Sequence, residues 1–93
     1  MIDLETRVYK NENVPWRIIE DEAILVEVKK GEVIHLNDVG AKIWDLIDGA
    51  NIVQDIVRGV VGTYEVDEDT ARQDTLCFIS EVVEKGLAAV RDE

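Results

Sequence analysis

An α+β fold is predicted, with a three-stranded antiparallel sheet followed by three helices in a winged helix-turn-helix-like arrangement. Between residues 16 and 36, apolar side chains recur at every second position, which is the period of a β-strand. After residue 36 the apolar spacing changes to three and four, and residue types that favour helix N-termini precede each stretch. Strands followed by helices in one short chain are typical of the α+β class.

Two predicted turns divide the strand region into a meander. Residues 16–19 form the first predicted strand, and residues 20–22 turn the chain. The second strand alternates over residues 24–28 and ends at a hairpin in which Gly31 supplies a positive φ. The third predicted strand, residues 32–36, is therefore an edge strand, with Ile34 and Leu36 on one face.

Polar residues and glycines set the expected limits of the helices. Asn37, Asn51 and Asp67 each precede a helical apolar pattern and are expected to act as N-caps. Gly49 is expected to end the first helix and Gly86 the third. Residues 87–90 are expected to form a short tail that packs back on the domain.

Composition excludes several classes of function. The 93 residues suffice for one domain, and the formal net charge of −11 disfavours binding to nucleic acid or to an anionic membrane surface. The single cysteine, Cys77, rules out an internal disulfide. We expect no signal peptide and no membrane span, and therefore a cytoplasmic location.

One stretch resembles a known family. Residues 36–44 read Leu-Asn-Asp-Val-Gly-Ala-Lys-Ile-Trp, which is similar to the PqqD-like pattern of Leu-Asn, a small residue and then an Ile/Val-Trp pair. The Asp48-Gly49 break, the helical stretch over residues 52–64 and the ending at residues 83–87 also match in kind and spacing. The resemblance covers roughly residues 14–87.

The resemblance implies a recognition element for ribosomally made, post-translationally modified peptides (RiPPs). In such proteins a leader peptide adds as a strand to the edge of the third predicted strand and packs against the third helix. The partner is a separate modifying enzyme, often a radical SAM enzyme, a lasso-peptide protease or a cyclase. Residues 1–13 would be a flexible arm and residues 14–90 the peptide-binding domain.

Physical properties of the third predicted strand support this interpretation. An edge strand has unpaired backbone groups that an extended peptide can bond, and edges that stay unpaired usually carry lysine, proline or a bulge. Residues 32–36 contain neither lysine nor proline. The alternative is that a loop or the N-terminal arm covers this edge.

The third predicted helix has an apolar stripe wider than core packing requires. Leu76 and Val83 widen it on one side, and Arg72 continues that side. The stripe could line a groove, but a well-buried helix or a homodimer face would explain it too, and Arg72 could simply pair with Glu68 or Asp69. The predicted peptide contacts are Glu32, Val33, Ile34, His35, Leu36, Arg72, Leu76, Ile79 and Val83.

Residues that could support catalysis are isolated from one another. His35 is the only histidine, and a metal or acid–base site needs further groups beside it. Acidic neighbours of Cys77 disfavour a thiolate. We therefore expect no enzyme activity, no metal and no cofactor.

Two other functions remain open on the sequence. The first is a winged-helix DNA-binding regulator, although Asp55, Glu81 and Glu84 make both candidate recognition helices acidic. The second is a structural homodimer, or a subunit that docks on a larger protein through the wide stripe of the third helix.

Overall fold

The computed structural model describes residues 2–91. The predicted order of three strands and three helices is confirmed, and one further strand lies at each end. In chain order the elements are β1 Arg7–Lys10, β2 Trp16–Ile19, β3 Glu22–Glu27, β4 Glu32–Leu36, α1 Asp38–Leu46, α2 Val53–Thr63, α3 Glu68–Glu84 and β5 Ala88–Arg91.

The main sheet has the antiparallel order β2-β3-β4. Leu25 of β3 lies opposite Trp16 of β2 and Ile34 of β4, so these three side chains share the face that packs on the helices. Both predicted turns are present, with Glu20 at φ 58° and Gly31 at φ 66°. The predicted meander is therefore confirmed.

A single core fills the space between the inner sheet face and the helices. Its largest fully buried side chains come from β3, all three helices, the residue after α1 and the segment after α3. They include Leu25, Ile43, Trp44, Ile47, Ile56, Ile79 and Leu87.

Two of the predicted N-caps are confirmed. The Gly40 N–H donates to Asn37 Oδ1 at 2.9 Å, and the Thr70 N–H donates to Asp67 Oδ1 at 2.6 Å. The bond from Thr70 to the Asp67 carboxylate lowers the pKa of Asp67. At the other end of α3, Gly86 has φ 76°, as expected for the residue after a helix.

The prediction for the start of α2 is wrong. The Asn51 amide donates instead to the Leu46 carbonyl at 2.9 Å, so it satisfies the end of α1. At the start of α2, the Ile52 N–H donates to Asp55 Oδ2 at 3.1 Å. Helix α1 ends at Leu46, before Gly49, which has φ 80° in the connection. Because the connection is short, one amide can reach either helix end.

The N-terminal segment differs from a flexible arm. Strand β1 pairs with β5 in antiparallel register, with Val8 opposite Val90, and Val8 is fully buried. A four-residue strand is too short to show a clear period, and its partner lies at the far end of the sequence. The expected packing of the tail is confirmed in β5, and β1 does not cover β4.

Candidate functional site

The outer edge of β4 is open. Strand β4 stands at the end of the three-stranded sheet, and no strand within residues 2–91 pairs on its outer side. The other open edge, β2, is only four residues long and follows Pro15, which cannot donate a backbone bond.

One hydrogen bond shows which way the backbone groups of the sheet point. The Val26 N–H of β3 donates to the Pro15 carbonyl at 2.9 Å, so the backbone groups of Val26 face the β2 side. Backbone groups alternate in direction along an antiparallel strand. Those of Leu25 therefore face β4.

The same alternation identifies the free groups of β4. Ile34 lies opposite Leu25 and Leu36 lies opposite Ala23, so Ile34 and Leu36 bond to β3. The N–H and C=O groups of Val33 and His35 consequently point away from the sheet. These four groups are the ones that an added strand would bond.

Side chains of β4 divide between the two faces of the sheet as predicted. Ile34 and Leu36 are half-buried and pack against the core. Val33 is 56% exposed, and His35 is exposed beside it on the outer face. A peptide strand on this edge would therefore meet Ile34 and Leu36 on its inner side, and Val33 and His35 on its outer side.

A groove runs between β4 and α3. It contains a cavity of about 340 Å³, whose apolar lining comes from Ile34, Leu36, Phe78, Val82 and Leu87. Its polar lining comes from His35, Asn37, Glu81 and Lys85, and Gly40 of α1 completes it.

A second cavity extends the groove along α3. It measures about 360 Å³ and shares Asn37, Gly40, Phe78 and Glu81 with the first. A Cβ on Gly40 would lie 3.4 Å from Phe78 Cε2, so this glycine leaves room between α1 and α3. We call the two cavities together the β4–α3 groove.

The face of α3 that lines this groove is not the predicted one. Successive helical residues are rotated by about 100°, which places Arg72, Leu76 and Val83 roughly 120–160° around the helix from Phe78. None of these three residues lines either cavity. The structure therefore brings residues 34–36 together with Phe78, Glu81, Val82 and Lys85, whereas Glu32 and Val33 line neither cavity.

Four residues of α3 belong to the predicted site, and each of them either forms surface ion pairs or packs in or against the core. Arg72 Nη1 lies 3.3 Å from Asp69 Oδ1 and Nη2 lies 4.0 Å from Glu68 Oε1, which is the surface pairing considered as the alternative. Ile79 is 0% exposed in the core, and Leu76 and Val83 pack against the core half-buried.

Four residues of α3 line the groove without having been predicted from the sequence: Phe78, Glu81, Val82 and Lys85. In the sequence pattern of α3, Phe78 and Val82 fall on the core stripe and Glu81 falls on the polar side. Lys85 suits the negative C-terminal end of the helix. Glu81 and Lys85 stand three and seven positions after Phe78, which is the spacing of one helix face. That spacing from the only phenylalanine was the available signal.

A third cavity lies near the β2 edge. It measures about 290 Å³, and its lining includes Ile18, Glu20, Asp21, Asp38 and Tyr64. The Tyr64 hydroxyl donates to the Asp38 carbonyl at 2.9 Å. Burial raises the pKa of Tyr64, and the charges of Asp38 and Asp21 raise it further. This cleft is acidic. Unlike the β4–α3 groove, it is not lined by a long apolar helix face.

Groups capable of metal chemistry are dispersed. Within residues 2–91, no three His, Cys, Asp or Glu side chains converge on a position that could hold a metal ion. His35 and Cys77 are both exposed. Among the helices in this part of the chain, none is long and apolar enough to cross a bilayer.

Comparison with known proteins identifies a matching family. Residues 22–88 match the family described as Coenzyme PQQ synthesis protein D (PqqD). No curated protein matches the chain.

Two solved structures share the fold. One is TbiB1 in complex with the TbiA(beta) leader peptide, with 26% identity, 91% of this chain and 99% of that chain covered, and a TM-score of 0.80. The other is lasso peptide synthetase B1 complexed with the leader peptide, with 20% identity, 89% and 98% coverage, and a TM-score of 0.77. Since the family match spans most of the sequence, this chain belongs to the PqqD family.

Proposed function

We propose that this chain binds the leader of a ribosomally made precursor peptide and presents the precursor to a separate modifying enzyme, without catalysing a reaction itself. The observation that carries the proposal is the open edge of β4 directly above an apolar groove. TbiB1, which is similar in fold and 26% identical, was solved with a leader peptide bound.

Strand addition explains how a single short edge could hold a peptide. The leader would exchange backbone hydrogen bonds with Val33 and His35, and these bonds do not depend on leader sequence. Alternate leader side chains would point into the β4–α3 groove, where Ile34, Leu36 and Phe78 provide apolar contacts. Backbone bonds thus supply affinity, and the groove supplies selectivity.

Presentation follows from binding only the leader. A bound precursor keeps its remaining residues free, and their effective concentration near an enzyme that also contacts this chain rises to the millimolar range, on the order of 1 mM for short flexible connections. The modifying enzyme, such as a radical SAM enzyme, protease or cyclase, would supply the chemistry. We place this step in the cytoplasm, where ribosomal precursors are made.

The proposed contact set follows the groove. It keeps Glu32, Val33, Ile34, His35 and Leu36 as residues of the open strand β4, and it adds the groove residues Phe78, Glu81, Val82 and Lys85. Arg72, Leu76, Ile79 and Val83 are assigned to the stability of α3 instead. The peptide-binding unit would span residues 14–90, with β1 supporting its last strand.

An amide-shift NMR titration tests this proposal. The labelled chain is titrated with the leader of a precursor encoded beside its gene. We expect saturable shifts in residues 32–36 and on the Phe78–Lys85 face, and none at Leu76. Shifts confined to the acidic cleft around Tyr64, or none with leader or full precursor, would contradict the proposal. Sedimentation of the free chain checks whether a homodimer already occupies β4.

A further inference from the structure

A largely apolar cavity lies under the β3–β4 hairpin, beyond the N-terminal end of β4. It measures about 240 Å³, and Val14, Val28 and Leu87 form its apolar lining. Val28 is 64% exposed, more than any other large apolar side chain among residues 2–91. A single exposed valine is ordinary on a protein surface. Val28 is a candidate ligand contact because it lines this cavity together with Val14 and Leu87.

This cavity continues the β4–α3 groove. Lys85 and Leu87 line both the hairpin cavity and the adjacent groove cavity. An extended peptide that leaves the edge of β4 at Glu32 would therefore pass directly over the hairpin cavity. Alternate side chains of an added strand point towards the helices because the strand is pleated. The peptide residues opposite Ile34 and Glu32 would therefore both point to that side.

Three lysines, Lys29, Lys30 and Lys85, lie at this end of the groove among the glutamates Glu27, Glu32 and Glu81. Lys29 and Lys85 line the hairpin cavity together with Glu27. Lys30 lies 4.0 Å from Glu27 and offsets its charge, and Lys85 lies 3.9 Å from Glu81 in an exposed pair. Glu81 lines both cavities of the β4–α3 groove, and Asp74 lines the cavity farther from the hairpin.

We propose that the hairpin cavity is a second subsite for the leader, which takes a large apolar side chain flanked by an aspartate or glutamate. This inference rests on the proposed leader binding. The apolar side chain would contact Val28 and Leu87, and the neighbouring carboxylate would lie between Lys29 and Lys85.

Direction can be stated from sheet geometry. Every pair in the main sheet is antiparallel, and antiparallel pairing is slightly more stable per residue than parallel pairing. A leader antiparallel to β4 enters near Leu36 and leaves near Glu32. The subsite would therefore hold a residue on the C-terminal side of the leader strand.

The test is a truncation series of the leader peptide read by fluorescence polarisation. Synthetic leaders from the precursor encoded beside the gene are shortened residue by residue from each end. With the wild-type chain, we expect one C-terminal step, at an apolar residue next to an acidic one, to weaken binding about tenfold. With Val28→Ser, and with Lys29→Glu combined with Lys85→Glu, the same step should cost less than about twofold.

Matched controls separate the subsite from general effects. Val61→Ser changes another exposed valine, on α2, and Lys42→Glu changes a lysine of the acidic cleft. Both should show the wild-type step. If the step is equally large in all variants, or appears only on N-terminal truncation, the subsite is overturned while leader binding stands. If neither the wild type nor Val61→Ser binds any leader, the proposed function fails, and the subsite fails with it.

Discussion

Trp16 lies edge-on to Trp44, with ring centroids 6.2 Å apart and planes at 79°. Lys10 Nζ sits 4.6 Å from the centroid of Trp16 and 5.3 Å from that of Trp44, and donates to the Ile47 carbonyl at 2.8 Å. Burial lowers the pKa of Lys10, although the negative charges of Asp45 and Asp48 act to raise it. This cluster joins β1, β2 and α1.

Replacing the two tryptophans should have unequal effects on stability. Trp44 is 0% exposed and Trp16 is 42% exposed. Trp44→Ala leaves a cavity, so we expect a loss of about 3–5 kcal/mol, a large part of the stability of a small domain. Trp16→Ala should cost clearly less because the side chain is partly hydrated when folded. Urea unfolding measures both, and equal losses would contradict this account of the cluster.

Two glycines in α2 provide a matched pair for helix stability. Nothing lies within 4 Å of a Cβ added to Gly62, so Gly62→Ala should raise the free energy of unfolding by about 0.5–1 kcal/mol. A Cβ on Gly59 would lie 2.5 Å from Leu46 Cδ1, so Leu46 must rotate away from its packed position. Thermal unfolding should therefore show a smaller gain or a loss for Gly59→Ala, and an equal gain would contradict the packing of α1 on α2.

The N-cap of α3 should make stability depend on acid pH. Because the folded-state pKa of Asp67 is lowered from about 3.8, the cap's contribution is full above that value. It is lost as pH falls through the lower folded-state pKa. Asparagine caps equally well without titrating. Asp67→Asn should match the wild type at neutral pH and lose less stability below about pH 4. Urea midpoints across this range measure the difference, and parallel curves would contradict it.

Local patterns were enough to predict the meander and most caps. Period-two alternation, Gly31 and the Asn37 and Asp67 caps depend on residues close in sequence, and the structure confirms them. Strand β1 depends on pairing with β5 across the whole chain. Asn51 had two helix ends within reach, and only tertiary geometry decides between them.

The site was predictable on one side only. The open edge of β4 followed from the meander, since a last strand has one unpaired side. Which face of α3 lines the groove depends on the rotation of the helix about its axis. Because the apolar stripe is wider than core packing requires, the sequence is compatible with two rotations. Gly40 and Phe78 select one of them, because their close approach sets α1 against α3.

Proline at the edge of β4 should block leader binding without unfolding the sheet. The N–H of Val33 points away from β3, so Val33→Pro removes a group that the free chain does not use. The ring also obstructs a neighbouring strand. We expect leader affinity to fall about tenfold or more.

Ile18→Pro is the matched control for this substitution. Ile18 lies in β2, and by the alternation that Val26 and Pro15 establish, its N–H also points outward. Calorimetric titration should give wild-type affinity for Ile18→Pro. Equal losses in the two variants would assign the effect of proline to the sheet as a whole.

Amide hydrogen exchange at Val33 and His35 tests strand addition most directly. In the free chain these two N–H groups should exchange fast, whereas those of Ile34 and Leu36 are already bonded to β3. Saturating leader peptide should slow Val33 and His35 by about tenfold or more and leave Trp16 and Ile18 of the other edge unchanged. If the leader binds saturably while Val33 and His35 keep their free exchange rates, the peptide does not add to β4 as a strand.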